Sequence, residues 1–207
     1  PVRAQVPALH FQPEYPGSRR YLVDGEIREW GGNAEAVESV VMLRLAEGAA
    51  PARHVVGRLP QMAAAAALAA LDAAVRAWDR GRGVWPTMTV KERVEATRRF
   101  SKAMAEKRAE CVRLLMWEIG KSLKDSEKEF DRTVEYIDAT VQAVKELDRA
   151  GNRFSIDGGV VGMIRRAPLG VTLCLGPFNY PLNETFTTLI PAIVMGNPVV
   201  MKLPSYG

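Results

Sequence analysis

The chain has 207 residues, 47% hydrophobic and 25% charged, enough to bury a sizeable core and too apolar for a disordered segment. A formal net charge of +4 invites a nucleic-acid partner, but acids and bases interleave, as from Lys121 to Glu135, and no basic run carries aromatics, so a solvated surface is expected and no nucleic acid. Cys111 and Cys174 make no disulfide framework, and no apolar stretch is long and charge-free enough to span a membrane, so a reducing, cytoplasmic setting without a membrane partner is expected.

In chain order, Pro1 to Ser18 is rich in proline and polar groups and reads as an arm. Arg20 to Trp30 alternates about Asp24-Gly25, a two-residue hairpin turn. From Gly31 to Pro60 the pattern is weak, with Val37, Val40, Val41 and Leu43 indicating one strand. His10 and His54 are isolated from any ligand-like cluster, so surface histidines and no metal are expected.

Helices are expected from Gln61 to Arg149. Leu68, Leu71, Val75 and Trp78 recur at helical steps after the alanine run Ala63 to Ala67, expected to pack closely on its neighbours. Thr89 with Glu92 forms a capping box for a helix whose stripe holds Phe100, Met104, Cys111 and Leu115 and which Gly120 ends. Ser122 with Asp125 opens another, burying Phe130, Val134, Ile137, Val141 and Val144.

After Gly151-Asn152, the runs Phe154 to Ile156 and Val160 to Arg166 flank Asp157-Gly158-Gly159, a second hairpin with edges that need a partner. Val171 to Leu175 reads as a strand covered on both faces, ended by Gly176-Pro177. Pro181 suits the first turn of a helix carrying Leu182, Phe186, Leu189, Ile190, Ile193 and Val194, with Gly196-Asn197 as its stop. Val199 to Met201 then leads to Lys202. Strand, helix and strand at this spacing make a βαβ unit, which binds ligands beyond the carboxyl ends of its strands, where Asn179 and Lys202 lie.

Pro177-Phe178-Asn179-Tyr180-Pro181, Pro191 to Gly196-Asn197 and Val199-Val200-Met201-Lys202 resemble the aldehyde dehydrogenase superfamily. The likeness is closest to its NADP-dependent, non-phosphorylating glyceraldehyde-3-phosphate dehydrogenase branch. It extends back through Asp131-Arg132-Thr133 and Leu115 to Ser122 to Tyr21-Leu22-Val23-Asp24-Gly25. The resemblance implies an α/β fold: a helical part within 1–150, a projecting oligomerisation hairpin at 151–166, and at 167–207 the start of a Rossmann-like cofactor sheet. Members are more than twice as long. An N-terminal portion is therefore expected, and the first residue, proline rather than methionine, with the stop just after a strand, suggests an incomplete sequence. The family's nucleophilic cysteine and general-base glutamate fall later than these residues, and the chain alone is expected to be inactive.

Residue by residue, the resemblance makes Asn179 the oxyanion donor, since a side-chain amide can stabilise a developing O⁻; the bland alternative is a helix cap. Gly176, Pro177 and Phe178 would border the cofactor. Lys202 matches the lysine that contacts the adenosine ribose or its phosphate, against a solvated strand-end lysine. NAD-preferring members usually carry a glutamate three residues after that lysine; Ser205 stands there and can donate to a 2′-phosphate, so NADP is expected, with NAD as the alternative. Ser205 could also be a simple turn residue. Arg132 would contact the substrate phosphate through its planar fork, or be a surface arginine paired with Glu129 or Glu135. Tyr180 would line the same channel or pack in the core. Both cysteines read as core thiols. The function implied is oxidation of a small aldehyde, glyceraldehyde-3-phosphate or another polar one, by a homo-oligomer (dimer or tetramer). The alternatives are a semialdehyde dehydrogenase and a non-catalytic relative with a structural or binding role.

Overall fold

The computed structural model describes residues 1–205. Strand β1 (Arg20–Val23) pairs antiparallel with β2 (Glu26–Glu29) across Asp24-Gly25, both at positive φ as the tight turn requires. Next come β3 (Ala34–Leu43) and β4 (Ala52–Pro60), also antiparallel and broken by register shifts around Glu38. One strand was expected here. The second is hidden in sequence because Arg53, His54, Gly57 and Arg58 interrupt its apolar pattern, and only Val56 and Gly57 of the strand are buried.

The arm is docked. The Trp117 indole donates to the His10 carbonyl at 2.8 Å, and Phe11 packs against both His54 and Trp117. His54 lies 2.7 Å from the Gln12 carbonyl oxygen and is half-buried, which corrects its assignment to the surface.

The helices are α1 (Ala64–Trp78), a short α2 (Val84–Thr87), α3 (Val90–Ala105), α4 (Arg108–Ile119) and α5 (Leu123–Gly151). Thr89 and Glu92 cap α3 reciprocally, and the Ser122 hydroxyl accepts from the Asp125 N–H to cap α5, as the sequence indicates. The single helix expected from Thr89 to Gly120 is two. The Lys107 N–H reaches back only to Met104, closing a tight turn between them. This break carries no glycine or proline signal; it lets α3 and α4 each lie against α5. The alanine run is largely exposed rather than packed, as are Leu68, Leu71 and Val75; only Ala73 and Ala74 of α1 are buried.

Beyond α5, β5 (Ser155–Asp157) and β6 (Val160–Gly162) form the second hairpin, which exposes Phe154, Ile156, Val160, Val161 and Ile164. Strand β7 (Thr172–Leu175), α6 (Pro181–Val194) and parallel β8 (Val199–Lys202) complete the βαβ unit. The architecture is α/β. One core cluster, Met104, Val112, Phe130, Ile137 and Ile190, joins α3, α4, α5 and α6; another, Val94, Val141, Val144 and Val194, continues the same seam. β7 is covered on one face only. Cys174 is buried under α6, whereas Leu173 and Leu175 are 64% and 57% exposed, because no described element packs on that side. None of the described helices is long and apolar enough to cross a membrane.

Candidate active site

The site lies beyond the carboxyl ends of β7 and β8. The Gly176 N–H donates to the Lys202 carbonyl at 2.9 Å, tying the two strand ends together. A Cβ on Gly176 would sit 2.3 Å from Thr185 Oγ1 and 2.9 Å from Pro204, so only glycine lets the strand end this close to α6. Pro177, Phe178 and Asn179 then cross to the helix, and Phe178 and Asn179 are exposed.

Tyr180 follows in the left-handed region (φ 85°, ψ 51°), immediately before Pro181. For a residue with a side chain this costs about 1–2 kcal/mol, so surrounding contacts must hold it. Tyr180 is the residue that caps α6, and its side chain accepts no N–H. That duty falls to Glu129 of α5: its Oε1 accepts from the N–H groups of both Leu182 and Asn183 at 3.1 Å. Its other oxygen pairs with Lys121, whose ammonium lies 3.9 Å from the centre of the Tyr180 ring.

The rest of α6 is held in the same way. Pro191 cannot donate to the Thr187 carbonyl, and the Tyr136 hydroxyl donates to it instead, at 3.2 Å. At the carboxyl end, the Trp85 indole and the buried Arg93 guanidinium each donate at 2.9 Å, to the carbonyls of Ile193 and Val194. Asn197 donates to the Ala192 carbonyl at 2.9 Å and accepts the N–H groups of Leu169 and Gly170, which fixes the approach to β7. The helix thus has a carboxylate at its positive end and a guanidinium at its negative end, both favourable to its dipole.

With Glu129 capping α6, Asn179 is not the cap. Its exposed amide has no hydrogen-bond partner among the described residues. Lys202 is exposed at the end of β8, and Ser205 is exposed three residues on; neither meets a carboxylate among the described residues. Arg132 is exposed as well. It is not paired with Glu129, which Lys121 occupies, and no salt bridge to Glu135 forms. Arg132 shares a helical side with Glu129 and Tyr136, both of which touch α6, so it stands at the rim of the α5–α6 seam. Tyr180 is 49% exposed, which sets it on the rim rather than in the core. The thiols are core groups: Cys174 is buried with its Sγ donating to the Thr188 carbonyl at 3.6 Å, and burial pushes both Cys174 and Cys111 above the ordinary thiol range.

The Aldehyde dehydrogenase family profile matches residues 46–206. The chain belongs to the aldehyde dehydrogenase family. The N-succinylglutamate 5-semialdehyde dehydrogenase of Chromobacterium violaceum is 35% identical over 138 residues, covering 67% of this chain and 28% of that enzyme. The solved NAD-dependent benzaldehyde dehydrogenase of Corynebacterium glutamicum superposes at a TM-score of 0.72 with 22% identity, over 92% of this chain and 38% of that one. The glyceraldehyde-3-phosphate dehydrogenase of Methanocaldococcus jannaschii, solved with NADP, superposes at 0.65 with 25% identity, over 73% and 32%. The chain therefore spans well under half the length of the aldehyde dehydrogenases it matches.

A nicotinamide dinucleotide fits the groups at the strand ends: Lys202 and Ser205 offer an ammonium and a hydroxyl, both donors, and the buried Thr185 hydroxyl beneath Gly176 has no partner among the described residues. Glu129 and Lys121 escaped the sequence reading. The signal was there: Glu129 shares one helical stripe with Thr133 and Ile137, so it is a carboxylate on the buried face of α5.

Proposed function

We propose that this chain supplies the oxyanion donor and parts of the cofactor and substrate sites of an NADP-dependent aldehyde dehydrogenase acting on a phosphorylated or small polar aldehyde. The observation that carries the reading is the exposed amide of Asn179, which has no hydrogen-bond partner among the described residues because Glu129 takes the first N–H groups of α6. As a nucleophile adds to the aldehyde carbon, the carbonyl oxygen becomes anionic, and the Asn179 Nδ2 can donate to it. A bound NADP would supply the acceptor for the hydride lost from that carbon, and water would then cleave the acyl–nucleophile bond to release the acid. The buried thiol of Cys174 and the half-buried thiol of Cys111, both pushed up by burial, are unsuited to be the nucleophile, which we assign to another part of the protein.

Lys202 and Ser205 would hold the 2′-phosphate, with Gly176, Pro177 and Phe178 beside the cofactor. Changing Ser205→Glu in the full-length protein should move preference from NADP toward NAD, because a carboxylate repels the 2′-phosphate and accepts from a 2′-OH. The comparison is kcat/KM for each cofactor, and a wild type that already prefers NAD defeats this assignment.

The unpaired Arg132 guanidinium would bind the substrate's anionic group, with Tyr180 on the same rim. The 35% identity to a semialdehyde dehydrogenase favours a second reading, in which that anion is a carboxylate. Arg132→Ala should lower kcat/KM for the anionic aldehyde about 10–100-fold, the size of a lost charge-assisted pair, and spare a neutral aldehyde of equal length. Comparing glyceraldehyde-3-phosphate with succinate semialdehyde decides between phosphate and carboxylate; an equal loss on the neutral aldehyde would assign Arg132 to packing.

We further propose that residues 1–150 carry the helical part, 151–166 the oligomerisation hairpin, whose exposed apolar residues would be covered by another copy, and 167–207 the cofactor sheet. Residues 206 and 207 lie outside the described residues.

A further inference from the structure

We infer that Glu129, acting with Lys121, is the positioning residue for Asn179; the inference rests on the oxyanion role proposed above. The argument starts at Tyr180, whose left-handed backbone directly follows Asn179 and sets the direction in which that residue leaves the helix. A strained residue of this kind persists only where its surroundings over-determine it. Here one carboxylate does so from two sides. Through Oε1 it accepts the N–H groups of Leu182 and Asn183, fixing the first turn after Tyr180. Through Oε2 it holds Lys121, and Lys121 holds the Tyr180 ring from the other side.

The carboxylate is well suited to act as an anchor. Its side chain is 0% exposed and that of Lys121 16%, so water competes weakly for either. Its negative charge faces the positive end of α6 and the ammonium together, leaving no oxygen without a donor. It is also rooted in the rigid middle of the seam. Phe130 next to it is 1% exposed, and Thr133, one turn on, is fully buried and donates to the Glu129 carbonyl at 2.7 Å. The upstream side of the turn is fixed independently, by Gly176 against Thr185 and Lys202. Asn179 is thus held between two anchors, and only the downstream one is a titratable side chain.

If Glu129 acts through Asn179, the two form one unit and their losses do not multiply. In the full-length protein, Glu129→Ala should lower kcat about 10–100-fold, as expected when a reacting group shifts by around an ångström. KM for NADP should stay within about twofold, since Lys202 and Ser205 lie on the other strand end. Glu129→Gln keeps an acceptor oxygen for Leu182 and Asn183 but turns a donor toward Lys121, so it should recover only part of the loss. In an Asn179→Ala background, Glu129→Ala should cost less than about threefold.

Losses that multiply in the double variant, or Glu129→Ala turning over at the wild-type rate, overturn the positioning role while leaving the oxyanion role intact. An Asn179→Ala protein that keeps its turnover overturns the oxyanion reading first, and the positioning role falls with it. Should Glu129→Ala not fold, the same cycle with Lys121→Met serves, because that change frees the Tyr180 ring and leaves both helix bonds in place. Non-multiplying losses then support the role, and multiplying ones end it.

Discussion

Asn179→Ala in the full-length protein is expected to lower kcat about 10²–10³-fold, the usual cost of one oxyanion donor. The magnitude follows from timing. The amide gains most when the aldehyde oxygen carries a full negative charge, so its loss raises the barrier and barely alters ground-state binding. KM for NADP should hold, because the groups assigned to the 2′-phosphate, Lys202 and Ser205, lie on β8 and beyond. Stability should hold too. The side chain is exposed and caps nothing, since Glu129 takes the first N–H groups of α6. Its removal therefore leaves no buried group unsatisfied. Asn179→Asp sharpens the test: it keeps the size of the side chain but places a carboxylate where an anion must form, and it should be at least as damaging as alanine. Steady-state kcat and KM, read beside a denaturation midpoint, separate the outcomes. A stable variant with most of its turnover would show that the amide touches no reacting atom.

Much of this arrangement could be read from sequence because it rests on local rules. The capping pair Thr89–Glu92, the cap at Ser122, Pro181 in the first turn of α6 and the stop at Gly196 are short-range patterns, and each element forms where its pattern lies. The parallel pairing of β7 with β8 followed from two apolar runs separated by one helix. What escaped depends on contacts distant in sequence. Glu106-Lys107 carries no breaker, so the split between α3 and α4 is dictated by packing on α5. The arm's anchors lie about a hundred positions away, at Trp117 and Arg113, and proline-rich sequence gives no hint of them. Arg132 and Glu129 show the limit best. Both are charged residues of α5, and in sequence Glu129 reads only as a surface partner for Arg132. In three dimensions the acid is buried, capping α6 and pairing with Lys121, while the arginine is exposed and pairs with no acid among the described residues.

The same seam makes the second large effect one of stability. Phe130→Ala is expected to destabilise the protein by about 3–5 kcal/mol, the usual cost of emptying an aromatic site in a packed core. Phe130 is 1% exposed and touches a cluster drawn from α3, α4, α5 and α6, with Met104, Val112, Ile137 and Ile190 as its buried members. No single helix can shift to close the hole without breaking its contacts with the others. Met116 lies at the cluster's edge and is flexible enough to fill part of it, which favours the lower end of the range. Phe130→Leu keeps most of the volume and should cost under about 2 kcal/mol. The consequence for the site differs from that at Glu129, although the two residues are adjacent. Phe130 holds α6 by packing in a cluster that includes Leu182, Phe186 and Ile190, whereas the turn at Asn179 is set by the hydrogen bonds to the first N–H groups of the helix. In the folded protein the oxyanion turn therefore keeps its carboxylate anchor, and kcat per folded molecule should stay within about threefold of wild type. Denaturant unfolding of the full-length protein gives the first quantity and active-site-normalised kinetics the second. The midpoint should fall with the slope unchanged, as for a change in stability alone. A loss below about 1 kcal/mol would mean that the seam relaxes into the cavity. A kcat that collapses while the protein remains folded would mean that packing, rather than the carboxylate of Glu129, sets the aim of Asn179.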